Sequence, residues 1–114
     1  MKNEDQQNQI QLSMQQAKDM LGKRDALRKL LENKEFDALI NKGYFDGEAA
    51  RLVALKADPE MQNERSQKAI DDQITAVGQF RLYLRTIFQQ GQMAEKALAD
   101  AEAEQAAILE QEAE

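Results

Sequence analysis

Residues 77–108 read VGQFRLYLRTIFQQGQMAEKALADAEAEQAAI. Within them Val77, Phe80, Leu84, Ile87, Gly91, Ala94, Leu98, Ala101, Gln105 and Ile108 follow one another at alternating steps of three and four. Eight of these ten are apolar, counting alanine, and the exceptions are Gly91 and Gln105. Such spacing is the seven-residue seam of a coiled coil. Traced backward the seam passes Gln73, Ile70, Ser66 and Asn63, and weakens. Between residues 70 and 88 the stripe widens, with Ile74 and Phe88 beside it and Leu82 and Tyr83 on another flank, so several elements are expected to meet there. Beyond Gly91 it is narrow and alanine-rich. From Pro59 to about Glu112 only Gly78 and Gly91 interrupt the pattern, which predicts one helix of ~50 residues, about 75 Å long at 1.5 Å per residue.

Upstream, Ile10, Met14, Ala17, Met20, Leu21, Leu27, Leu30 and Leu31 trace a first helical face. Residues 1–8 are polar and are expected to fray. Asn33 and Lys34 continue a helix poorly, so a break is predicted near residues 32–35. Phe36, Leu39 and Ile40 share a face of the next segment. Gly43 stands where a left-handed residue commonly closes a helix. Asp46 is then an N-cap for a short helix through Leu52 and Val53. Asp58-Pro59 reads as a cap followed by proline at the first helical position, and the proline ends the helix before it. Phe36, Ile40, Phe45, Leu52, Ile74, Val77, Phe80, Leu84 and Phe88 are the expected core.

The fold class is therefore all-α: a helical hairpin, with short middle helices packed on a long C-terminal coiled-coil helix. Composition agrees. The chain has 114 residues, room for one domain, with 17 Ala and 12 Leu but only two Val and two Thr. Three segments are expected: a frayed N-terminus (1–8), a helical domain (9–92) and an acidic helical tail (93–114). No run approaches the length of a membrane span, and no apolar segment follows a basic start, so a soluble cytoplasmic protein is expected.

The chain has no Cys and no His, which leaves no thiol nucleophile, imidazole base or zinc-finger ligand set. Asp71 and Asp72 are adjacent, and on a helix they diverge by about 100° instead of converging on a substrate. Ser13, Ser66, Thr75 and Thr86 sit in helical segments without a base. No phosphate-cradling glycine loop is present. Neither enzyme activity, nor a metal, nor a cofactor is expected.

Residues 1–59 carry ten basic and ten acidic side chains, and residues 60–92 four of each. Residues 93–114 carry Lys96 against seven carboxylates, so the whole net charge of −6 lies there. Glu95, Asp100, Glu102, Glu104, Glu110 and Glu112 are the candidate partner-binding acids, set against the plainer reading of a solvated helix end. The Lys23, Arg24, Arg28 and Lys29 cluster reads as intrahelical surface pairing with Asp19, Asp25 and Glu32. Phe80-Arg81-Leu82-Tyr83-Leu84-Arg85 has the basic–aromatic mixture of single-strand binders, but Phe80 and Leu84 belong to the seam, and the acidic chain argues against nucleic acid.

The run from Glu35-Phe36-Asp37-Ala38-Leu39-Ile40 through Gly43-Tyr44-Phe45-Asp46-Gly47-Glu48-Ala49-Ala50-Arg51-Leu52-Val53-Ala54-Leu55-Lys56-Ala57-Asp58-Pro59-Glu60-Met61-Gln62 resembles small helical accessory proteins of tailed bacteriophages, over roughly residues 30–95. The resemblance implies a non-enzymatic phage protein, serving virion assembly as scaffold, chaperone or structural accessory, or inhibiting a host protein through its acidic helical surface. In plan the hairpin is also similar to prefoldin-like chaperones, whose strands have no counterpart here. A protein partner and a homo-oligomer, a dimer first, are expected. Leu84, Ile87, Ala94, Leu98, Ala101 and Ile108 are its candidate seam, because covering Leu98 and Ile108 is expected to need a second chain.

Overall fold

The computed structural model describes residues 2–113. Its elements are α1 (Lys2–Leu31), α2 (Lys34–Phe36), a π-helical segment (Asp37–Glu48), α3 (Ala49–Ala57), a 3-10 turn (Pro59–Met61) and α4 (Glu64–Ala113). The all-α fold is as the sequence predicts, with no strand among the described residues. Two compact units divide the chain: residues 28–85, and a helix pair made of residues up to Leu27 with residues from Thr86 onward.

In the helix pair, α1 runs antiparallel to the distal part of α4. Ile10 packs with Ala101 and Ile108, and Met14 lies against them. The Gln6 amide donates to Glu104 (3.5 Å) and the Gln7 amide to Glu112 (3.2 Å). Every seam position of α4 from Ile87 to Ile108 is buried or half-buried. This corrects the premise behind the expected second chain, because the chain's own α1 covers the seam. It also corrects the frayed N-terminus, since helix begins at Lys2 and its glutamines reach α4. Met1 and Glu114, the outer ends of the two terminal segments, lie outside the described residues. Of the expected α1 face, Met20 and Leu30 are exposed. Gln7 and Arg24 occupy the seam with Ile10, Met14, Ala17 and Leu21.

In residues 28–85 the break falls where predicted. Asn33 accepts from the Phe36 amide through its side chain (2.9 Å) and from the Asp37 amide through its carbonyl (3.0 Å), supplying partners to donors that a helix start leaves open. The left-handed turn expected at Gly43 does not form, and no described residue has positive φ. The chain instead stays helical with a wide i→i+5 turn, a geometry that is rare at this length. A Cβ at Gly43 or Gly47 would stand 3.0 or 3.2 Å from the carbonyl oxygen five residues back, so both wide turns close around residues lacking one. Asp46, inside this helix, is no cap.

The wide turn presents Ile40, Tyr44 and Phe45 together to α4. Phe45, Leu52, Ile70 and Val77 form the buried core, with Ile40, Tyr44, Leu55, Met61, Phe80 and Leu84 packed on it. Tyr44, Phe45 and Phe80 meet pairwise at 5.3–5.9 Å between centroids, within the range of favourable aromatic geometry. Three expected core members stand apart from this cluster. Phe36 is half-buried outside it, Ile74 is 36% exposed, and Phe88 belongs to the helix pair. Asp58 accepts from the Glu60 amide (2.9 Å) and Pro59 opens only a single 3-10 turn. Asn63 then caps α4 by accepting from the Ser66 amide (2.8 Å), so the long helix starts at Glu64. Gln62 and Gln67 both donate to the Lys56 carbonyl (2.9 and 3.1 Å), satisfying a carbonyl left open at the end of α3.

Candidate functional site

Two places in the chain depart from plain helix packing. The first is Arg24 in the helix pair. Its side chain is 11% exposed and lies across Gly91. It pairs with Glu95 of α4 and with its neighbour Asp25 (3.3 Å). The hydrogen bond to Glu95 pushes its pKa above the ordinary value, against the opposing pull of desolvation. Its Nε is buried without a partner. Sequence reading places Arg24 in an exposed basic cluster; the signal that would have found it is the glycine in the α4 seam, which leaves a hole that something must fill.

The second is a groove on residues 28–85, lined by Phe45, Ala49, Val53, Ile74, Val77, Gly78 and Arg81. Gly78 forms an open floor, since a Cβ there would meet nothing within 4 Å. Val53 is 64% exposed on one wall and Ile74 stands on the other. Arg81 closes one end, its guanidinium 5.3 Å from the Phe45 ring centroid, a cation–π distance. Its nearest carboxylate is that of Asp46 at 4.0 Å, with both side chains largely exposed. Sequence reading assigns Ile74 to the core and misses this groove, because periodicity marks Ile74 as lying on an apolar face but not that α3 leaves it uncovered.

The predicted site residues are not gathered into one place. Leu84 belongs to the core of residues 28–85, whereas Ile87, Ala94, Leu98, Ala101 and Ile108 line the helix pair. Among the acids, Glu95 is bound to Arg24, Glu104 to Gln6 and Glu112 to Gln7. Asp100, Glu102 and Glu110 are exposed. Asp71 and Asp72 diverge as expected: Asp71 pairs with Lys56 and Asp72 with Lys68. No group of three metal-ligating side chains occurs among the described residues. No helix of the described residues is long and apolar enough to cross a membrane. Comparison of the chain with known protein families, with characterised proteins and with solved structures finds no match.

Proposed function

We propose that this chain is a non-enzymatic protein-binding protein that serves the assembly of a tailed-bacteriophage virion. The groove over Gly78 carries the protein-binding part of the reading, and the phage part rests on the sequence resemblance. It is apolar along its walls and cationic at one end, with Arg85, also exposed, a further turn along α4. That combination fits a partner segment presenting an aliphatic side chain with a carboxylate about one helical turn away: the apolar group fills the space above Gly78 and the carboxylate meets Arg81. The groove lies inside residues 30–95, the part that resembles phage accessory proteins. The alternative, inhibition of a host protein through the acidic surface, is weakened because three of its six carboxylates have partners within the chain.

Photo-cross-linking from positions 53 and 74, with position 12 as an exposed control, tests the reading in infected cells. The joined peptide should come from a virion or assembly protein, contain an aliphatic residue close to Asp or Glu, and be lost with Arg81→Glu. Equal labelling from position 12, or a peptide without an acid that survives Arg81→Glu, would contradict it.

A further inference from the structure

The seam between α1 and α4 is poorly specified by its apolar residues. Ala17, Ala94 and Ala101 are interchangeable in size, and the aliphatic positions recur every seven residues. A slip of one heptad, about 10.5 Å along the axis, toward Leu84 keeps Leu21, Met14 and Ile10 facing Ile87, Ala94 and Leu98, whereas one toward Leu98 sets Ala17 against Gln105. The α-helical ladder of α1 ends at Leu31, with the Glu32 and Asn33 amides closing on Lys29 and Leu30 (3.2 and 3.0 Å), so no continuous α-helix carries the register of α4 into α1. Something within the pair must choose the register.

We infer that Arg24, seated over Gly91 and paired with Glu95, is the register lock of the helix pair. The selection is by shape. A Cβ at position 91 would stand 2.6 Å from Arg24 Cβ and Cδ and 2.9 Å from Cγ, distances that do not occur between carbon atoms of a packed structure. Only glycine admits the arginine stem at this height. Slipping by one heptad places Arg24 opposite Leu98 or Leu84. At Leu98 the counter-charge is reproduced, because Glu102 stands where Glu95 stood, but the space is gone. At Leu84 the residue four further on is Phe88, and both space and charge are gone. Charge alone therefore leaves one false register open, and Gly91 closes it.

The unpartnered Nε fits this role. A buried polar group with an open donor adds little net stability, while a polar residue at a seam position is a known means of fixing pairing at some cost in stability. In the true register the two terminal nitrogens are satisfied by Glu95 and Asp25 and only Nε is left; in a slipped register the whole guanidinium must leave the seam or stay buried against leucine.

The chain has no cysteine, so engineered pairs report register in the full-length protein. Met14 packs against the cluster that holds Ala101. Met14→Cys is combined with Ala101→Cys for the true register, and with Ala94→Cys or Ile108→Cys for the two slips. Disulfide closure needs Cα atoms within roughly 7 Å, so one heptad separates the reporters cleanly. With Arg24 and Gly91 intact, oxidation should join 14 to 101 and neither other pair. In Arg24→Gly/Gly91→Ala, which removes the arginine and leaves no Cβ–Cβ overlap at this layer, the 14–94 or 14–108 link should appear and the 14–101 yield should fall. Gly91→Ala alone should lower the melting midpoint, and adding Arg24→Gly should recover part of it, because the contact includes the position-24 Cβ at 2.6 Å and only glycine there removes it. A double variant that still links only 14 to 101 would overturn the inference. So would a double variant that fails to fold, or melting shifts that simply add.

Discussion

Leu52 is completely buried, and Leu39, thirteen residues earlier, is 71% exposed. The two leucines are alike in the sequence, and only the packing separates them. Leu52→Ala removes side-chain volume from the centre of the Phe45–Ile70–Val77 core and should cost about 2–5 kcal/mol. Leu39→Ala should change stability by no more than about 0.5 kcal/mol. Chemical denaturation of the two variants checks both, and comparable losses would show that the core lies elsewhere. Phe80 is only half-buried, so Phe80→Ala should fall below the ~3–5 kcal/mol of a fully enclosed phenylalanine. Residue-scale errors in the sequence reading share one cause. Ile74 and Phe36 are apolar and fall on helical faces, but whether a face is covered depends on what crosses it. Arg24 was missed for the opposite reason, because a charged residue in a seam is invisible until the glycine facing it is known.

At the scale of the element, the strongly periodic helices were legible and the π-helical segment was not. Seven-residue spacing identified α4, and the break near residues 32–35 followed from Asn33 and Lys34 being poor helix continuers. Residues 37–48 look instead like a helix closed by Gly43 and reopened by Asp46, because local rules offer a glycine and an aspartate for those tasks. The aromatic cluster of Tyr44, Phe45 and Phe80 overrides them, holding the chain helical so that adjacent aromatic residues both reach α4. Ion pairs decorate this stretch. Arg51 holds the Glu48 carboxyl below its ordinary value, and Asn41 followed by Lys42 does the same for Asp37. A carboxyl with a lowered folded pKa contributes stability that is present above its unfolded value and is lost as pH falls through the folded one. The contribution of Glu48 should therefore be present above about pH 4.5 and be lost progressively as pH falls from there through its lowered folded value. Arg51→Gln should flatten that acid limb in melting experiments between pH 2 and 5 (roughly the range spanned by carboxyl titration), and an unchanged limb would remove the pair from the account.

For the whole molecule, the decisive difference from the sequence reading concerns residues 93–114. They look like a charged, dispensable tail, yet Ala94, Ala101 and Ile108 are buried against α1. Deleting 93–114 should uncover Ile10, Met14 and Ala17 and melt the start of α1, so circular dichroism should lose more helix than the 22 deleted residues can hold. A loss confined to the deleted residues would show α1 to be independent of them. Ala94, Ala101 and Ile108 of the expected seam are buried within the chain itself, because periodicity shows which face is buried but not what buries it. That α1 of the same chain does so is the central claim, and energy transfer tests it most directly. Leu12 and Leu109 are exposed, at 62% and 54%, and lie toward the paired ends of α1 and α4. A chain labelled at both positions through Leu12→Cys and Leu109→Cys, refolded in a large excess of unlabelled chain, should keep its full transfer efficiency. Transfer that falls in proportion to the excess of unlabelled chain would show that the helices pair between molecules and would contradict the account.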